Sequence, residues 1–220
     1  MSTWPEPTSL IVLMGAVAVI PFLAVGLTSY VKLAVVLGLV RNALGTPNIP
    51  PNMALNAIAI LLTVYIMQPV ALSTYNAMQD KPIAFDTIQT LGETITAAAN
   101  PVRDFLTKHA SQNNRQFFVN MTRELWGTDN SATVTDKDLL ILIPAFITSE
   151  LESAFKIGFL LYLPFIAVDL IVSNILLAMG MAMVSPMPIS LPFKLFLFVA
   201  VDGWQRLIHG VALSYASSTP

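Results

Sequence analysis

The sequence predicts an all-α protein of membrane-associated helical hairpins, with a polar helical domain inserted between two apolar halves. Three observations predict it. Hydrophobic residues make up 55% of the 220 positions and charged residues only 11%, against roughly 25% charged in an average soluble domain. The apolar residues gather in long runs, and an apolar run of ~20 residues is what a bilayer-crossing helix needs. Of the 24 Lys, Arg, Asp and Glu residues, 14 fall between Asn76 and Asp138, which separates a polar middle from its apolar flanks.

Residues 1–75 form the first apolar half. Leu10 to Leu27 is an almost unbroken apolar run, continued past Lys32 to Val40, long enough to span and project beyond. Met1 to Ser9 carries Glu6 and no Lys or Arg, whereas a secretory signal begins with a cationic stretch, so the first run is expected to be a retained helix. Gly45, Pro47, Pro50 and Pro51 then stop the helix, because proline fixes φ and removes an amide donor. The next helix, about Met53 to Met78, is expected to return antiparallel, with a kink at Pro69.

Residues 76–138 mix both signs of charge with Ser, Asn and Gln, the composition of a water-exposed domain. Apolar positions recur at helical spacing over Asp86 to Ala99 and over Pro101 to Trp126, for example Phe105 and Leu106, then Phe117, Phe118, Met121 and Leu125. Two or three amphipathic helices are expected, ended by the polar stretch Gly127 to Thr135.

Residues 139–220 are apolar again. Pro144, Pro164, Pro186, Pro188 and Pro192 are expected to cut them into pieces near 139–163, 165–184 and 192–215, and the proline-rich turn Ser185 to Pro192 to fold the last two into a helical hairpin. No internal repeat or low-complexity tract is present.

Eight ionisable residues sit inside or at the edges of these apolar segments: Lys32, Glu150, Glu152, Lys156, Asp169, Lys194, Asp202 and Arg206. Each would cost roughly 2.5 to 3.5 kcal/mol at the centre of a spanning helix, so they must be paired, hydrated or outside lipid. Four are positive and four negative, which suits pairing. Glu152 and Lys156 have the i,i+4 order that supports a helix face. Glu150, if it faces away from Lys156, needs a partner from another helix or another subunit, for which Lys194 is the candidate. The alternative is that these charges sit at membrane interfaces and snorkel outward.

Met179, Met181, Met183 and Met187 cluster where the chain leaves a helix and enters the proline turn. Methionine is unbranched and soft, so the cluster fits either ordinary filling of a buried loop or a ring from several subunits that seals a pore and yields to a passing polypeptide.

Catalysis finds no support. The chain contains no cysteine, which excludes disulfides and thiolate chemistry, and it lacks hydrolase, zinc-protease, phosphate-loop and dinucleotide motifs. His109 and His209 have no neighbouring ligand set and read as surface or packing residues, and Asp202 and Trp204 in VDGW as packing and polar anchoring. No cofactor and no catalytic residue is expected. A net charge of −2 offers no basic field for nucleic acid.

Three long stretches carry a resemblance: TSYVKLAVVLGLVRNALGTPNIPPN (Thr28 to Asn52), TSELESAFKIGFLLYLPFIAVDLIVSNILLAMGMAMVSP (Thr148 to Pro186) and ISLPFKLFLFVAVDGW (Ile189 to Trp204). They closely resemble the R-type export apparatus protein of bacterial type III secretion, the SctR/FliP family, and the NALG, IPPNM and AFKIGF wording is similar to its injectisome branch. The resemblance implies a homo-pentameric ring in the bacterial inner membrane, much of it raised to the periplasmic side. It implies S/Q-type and T/R-type export apparatus partners, contact with the U-type switch protein and the inner rod or needle, and a pore that conducts unfolded secreted polypeptides. It also places a pore gasket on Met181, Ala182 and Met183, flanked by Met179 and Met187, and an inter-subunit salt bridge on Glu150 and Lys194.

A small-solute transporter or ion channel would also explain buried charges and broken helices. It predicts conductance by this protein alone, whereas an export gate needs its partners.

Overall fold

The computed structural model describes residues 14, 15, 18, 21, 22, 24–46, 48–79, 88–131 and 133–216, with the backbone alone at 88–95, 97 and 128–131. Met14, Gly15, Ala18, Pro21, Phe22 and residues 24–26 are helical. The rest of the first apolar run and Met1 to Ser9 lie outside the described residues.

Helix α1 spans Tyr30–Leu44 and buries Lys32, Leu33, Val36, Leu37, Val40, Ala43 and Leu44, a stripe at the three-and-four spacing of one helix face. The proline-rich turn follows, held by the Arg41 guanidinium, which donates to the Pro50 carbonyl at 3.4 Å and to the Asn52 side chain. Helix α2, Asn52–Gln79, packs back on α1 and continues through Pro69. Only Leu55 and Ala59 of its side chains are buried, while Ile60, Leu61, Val64, Tyr65 and Leu72 are exposed.

The middle segment forms α3, Ile88–His109, and α4, Gln112–Ser131, the latter broken at Gly127. The break between them lies at Ala110 and Ser111, not at Pro101, through which α3 runs. Ser111 fixes where α4 starts, its hydroxyl accepting the Asn114 amide at 3.2 Å as an N-cap, while Phe105 and Leu106, buried one turn beyond Pro101, pack α3 onto the core across the proline.

Helix α5 runs unbroken from Leu139 to Ala178, 40 residues, so the expected breaks at Pro144 and Pro164 do not occur. Each proline forfeits one helical hydrogen bond, but Leu142, Ala145 and Phe146 are buried around the first and Phe165 beside the second, and that packing holds the helix straight through. The helix ends at Gly180, φ 78°. The Gly180 amide donates to Leu177 O and the Met181 amide to Leu176 O, at 3.0 and 2.9 Å, a Schellman motif in which a left-handed residue satisfies the last carbonyls.

Helices α6, Met187–Ala200, and α7, Gly203–Ala216, replace the single arm expected over 192–215 and meet at a 60° bend. Asp202 takes φ 53°, and a Cβ on Gly203 would stand 2.3 Å from the Phe198 ring, so only glycine fits the elbow. Phe198 of α6 meets Phe165 of α5, and Lys194 meets Asp169, so α5 and α6 run antiparallel as a hairpin.

Two apolar clusters hold the helices. In one, α1 and α2 pack with Ala154, Phe165, Phe198, Leu207 and Val211. In the other, Phe105 and Leu106 of α3 and Ala110 just after it pack on Leu142, Ala145 and Phe146 of α5 and on Tyr215 of α7. By length and hydropathy α2 and α5 can each cross a membrane, and α6 with α7 makes a third if the bent pair counts as one span.

Candidate functional site

Two buried charge clusters and one exposed turn concentrate the residues singled out from sequence. In the first cluster Glu150, 2% exposed, pairs with Lys32 of α1 at 3.0 Å. The Tyr215 hydroxyl of α7 donates to the other carboxylate oxygen. Lys32 also lies 4.1 Å from the Tyr215 ring centroid and donates to Ser214 at 3.4 Å. Phe105 stacks on Tyr215, and His109 packs against both rings, with centroids at 4.6 Å from Phe105 and 5.1 Å from Tyr215. His109 is thus the packing residue the sequence suggested. Burial, then the nearby Lys32 and Lys108 charges, push its pKa down to about 4.

The second cluster joins α1, α5 and α6. Lys194, buried, donates to Asp169 Oδ2 at 2.6 Å and to Ala43 O at 3.4 Å, and the Ser190 hydroxyl donates to Asp169 Oδ1 at 2.6 Å. Charge-assisted bonds of this kind are about twice as strong as neutral ones, and the lysine faces the last carbonyls of α1, where the helix dipole favours a cation.

Within one chain Glu150 and Lys194 therefore do not meet, because each has an internal partner. Glu152 and Lys156 are both exposed and do not pair with each other; Glu152 instead accepts from Asn114 of α4 at 3.3 Å. An exposed i,i+4 pair adds only ~0.2 to 0.5 kcal/mol, which a competing contact readily displaces. Asp202 and Arg206 are exposed, as is His209. A third ion pair, Arg115 with Asp136 at 2.7 Å, lies in the polar middle.

The sequence reading missed Tyr215, Ser190 and Ser149. Tyr215 continues the stripe Leu207, Val211, Tyr215, all buried at i,i+4 spacing, which was a legible signal. Ser149 accepts the Ser111 amide and the Asn114 side chain, both at 2.9 Å, while donating to Ala145 O at 2.7 Å, so it docks the start of α4 onto α5. No local signal marks that role.

The methionine turn is open. Met183 is fully exposed, and Met179, Met181 and Met187 are 62%, 44% and 52% exposed. The turn is therefore not buried filling within the chain. Unpartnered flexible thioethers at the tip of a hairpin can seal against other surfaces without a fixed shape.

Residues 13–211 match the FliP family. The chain is 47% identical over 211 residues to the Yop proteins translocation protein R of Yersinia pestis, covering 96% of this chain and 97% of the relative. It is 45% identical over 215 residues to the hypersensitivity response secretion protein HrcR of Ralstonia nicotianae, covering 96% and 98%. With the surface presentation of antigens protein SpaP of Salmonella typhi it shares 42% over 214 residues, covering 94% and 96%. On this likeness over nearly its full length, the chain belongs to the FliP family, on the SctR-like injectisome side.

Proposed function

We propose that this type III secretion export apparatus subunit builds, with further copies of itself, the ring and pore through which unfolded polypeptides pass. The observation that carries the reading is the methionine turn, raised on the α5–α6 hairpin with Met179, Met181, Met183 and Met187 all exposed. Around a symmetry axis, five such turns bring soft apolar side chains to one constriction. A hydrophobic constriction excludes ions by dewetting, and methionine yields to chains of different shape. Ala182 leaves the centre of the gasket smaller, and Met179 and Met187 flank it.

The exposed apolar side chains of α2, α5 and α6 supply surface for neighbouring copies, for S/Q-type and T/R-type partners and for lipid. The polar helices of residues 76–138 face water on the periplasmic side, the apolar halves 1–75 and 139–220 are held at the bacterial inner membrane, and the U-type switch protein and inner rod adjoin the pore. For Glu150 and Lys194 to pair between copies, the packing around these two buried groups must open, but neither must give up its internal partner. An ammonium has three donors, and Lys194 uses them on Asp169 and Ala43 with one to spare, while the Glu150 carboxylate keeps acceptor sites beyond those that Lys32 and Tyr215 take. The chain's kinship is with secretion components and not with enzymes.

The test is the native mass of the detergent-extracted chain, expressed alone and with its S-type and T-type partners. A pentamer that gains the partners and keeps its ring is the expected result. A monomer or dimer indifferent to them refutes the reading.

A further inference from the structure

The methionine turn does not fix its own position. Residues 177–185 are all exposed, and the turn's backbone hydrogen bonds stay within itself and the end of α5: Gly180 and Met181 bond back to Leu177 and Leu176, and Val184 to Met181. Where the turn projects is therefore decided by the two helix stems that carry it and by whatever holds those stems.

Besides the Phe165–Phe198 ring contact, the stems are joined by a buried cation. Lys194, two turns into α6, is 5% exposed and reaches Asp169 on α5 at 2.6 Å. The other Asp169 oxygen takes the hydroxyl of Ser190, 0% exposed, at 2.6 Å. The same ammonium reaches Ala43 O in the last turn of α1 at 3.4 Å. Met187, the first residue of α6, rests its methyl 3.6 Å from where a Cβ on Gly45 would stand, and the Lys194 nitrogen lies 3.9 Å from the same point. Stem to stem, and stem to the end of α1, the contacts converge on Lys194.

We propose that Asp169, Ser190 and Lys194 are positioning residues for the gate: a brace that fixes the angle of the α5–α6 hairpin against the end of α1 and so sets where the methionine turn points. The functional meaning of the brace rests on the pore reading of the methionines; the brace itself rests on these contacts alone. The Lys194 side chain is 6% exposed and that of Asp169 39%, so losing the carboxylate leaves a buried ammonium without its counter-charge, which is strongly unfavourable.

The native chain has no cysteine, so cysteines placed at Asn48, in the turn after α1, and at Ala182, in the methionine turn, are the only thiols available for spin labels. Pulsed electron resonance on the full chain in detergent, diluted with unlabelled chain so that only distances within one copy are read, measures how tightly the turn is held. A single narrow distribution is expected for the parent, at least a twofold broadening in D169N and in K194M, and a near-parent width in D169E, which keeps the carboxylate. S190A leaves the ion pair and broadens less; it carries the test if the charge variants fail to fold. Unchanged widths in the folded members of this set overturn the proposal. Ion leak measured on the same variants is a separate readout: broadening without leak keeps the brace and removes the pore reading of the methionines.

Discussion

Removing one member of the buried pair Lys32–Glu150 should be far more damaging than removing both. The two side chains are 5% and 2% exposed and stand 3.0 Å apart. Glu150→Leu leaves the Lys32 ammonium without a carboxylate and the Tyr215 hydroxyl without its acceptor, and Lys32→Met leaves the carboxylate with Tyr215 alone. Breaking a buried pair in this way costs about 3 to 5 kcal/mol, whereas replacing both ends by apolar groups of similar volume is often neutral or stabilising. At about 2 to 4 °C per kcal/mol for a chain of this size, each single variant should lose roughly 6 to 20 °C in Tm. The double variant Lys32→Met with Glu150→Leu should stay within about 4 °C of the parent by the same scaling. Helical circular dichroism of the detergent-solubilised protein during heating reads all four corners of the cycle. Single losses below about 2 °C, or a double loss equal to the sum of the singles, would show that Glu150 is not held by Lys32 and would reopen Lys194 as its partner.

Serine at both Met181 and Met183 should leave folding intact, since both side chains are exposed, yet make membranes containing the assembled gate leak ions; tight membranes would contradict the gasket. Gly203→Ala forces a methyl into the Phe198 ring at 2.3 Å, and overpacking of that kind costs about 1 to 3 kcal/mol, so its Tm should fall while Gly210→Ala, with open space around it, leaves Tm nearly unchanged. His109 titrates near 4 against an ordinary 6.5, so the unfolded chain takes up a proton in that window while the folded chain does not. Stability should therefore be complete above pH 6.5 and decline as pH falls toward 4, and His109→Phe should lose that part of the slope; an unchanged slope would place the acid sensitivity elsewhere.

Sequence reading captured the helical, membrane-associated class, because it follows from composition and from long apolar runs. It failed where one residue type had two outcomes. Pro50 and Pro51 stand outside helix, just before α2, in a turn that Arg41 holds from the side, while Pro101, Pro144 and Pro164 sit inside continuous helices; periodicity does not separate the two outcomes. The charges divided in the same way. Their balanced signs showed that pairing was needed, but the partner of Glu150 stands 118 positions away on α1, and no local pattern selects Lys32 over Lys156 or Lys194. Tyr215 was the legible omission, since its stripe with Leu207 and Val211 needed no tertiary knowledge.

The length of α5 limits how the chain can meet a bilayer. Forty residues of helix extend about 60 Å at 1.5 Å per residue, twice the ~30 Å of a hydrocarbon core, so a single depth cannot hold it all. Its two halves are dressed differently. The first half takes α3 and α4 through Phe105, Leu106 and Ala110 and through polar contacts from Ser111 and Asn114 to Ser149 and Glu152, which require water or protein around them. The second half carries Leu163, Ile166, Leu170, Ile171 and Ile175 exposed and pairs with α6. The polar helices and the hairpin tip then lie toward opposite ends of α5. A hydropathy profile counts α5 as a span because its whole length is apolar, but the first half carries α3 and α4 together with the exposed charges Glu152 and Lys156, whereas the second half exposes the large apolar side chains from Leu163 to Ile175, which suit lipid or another copy.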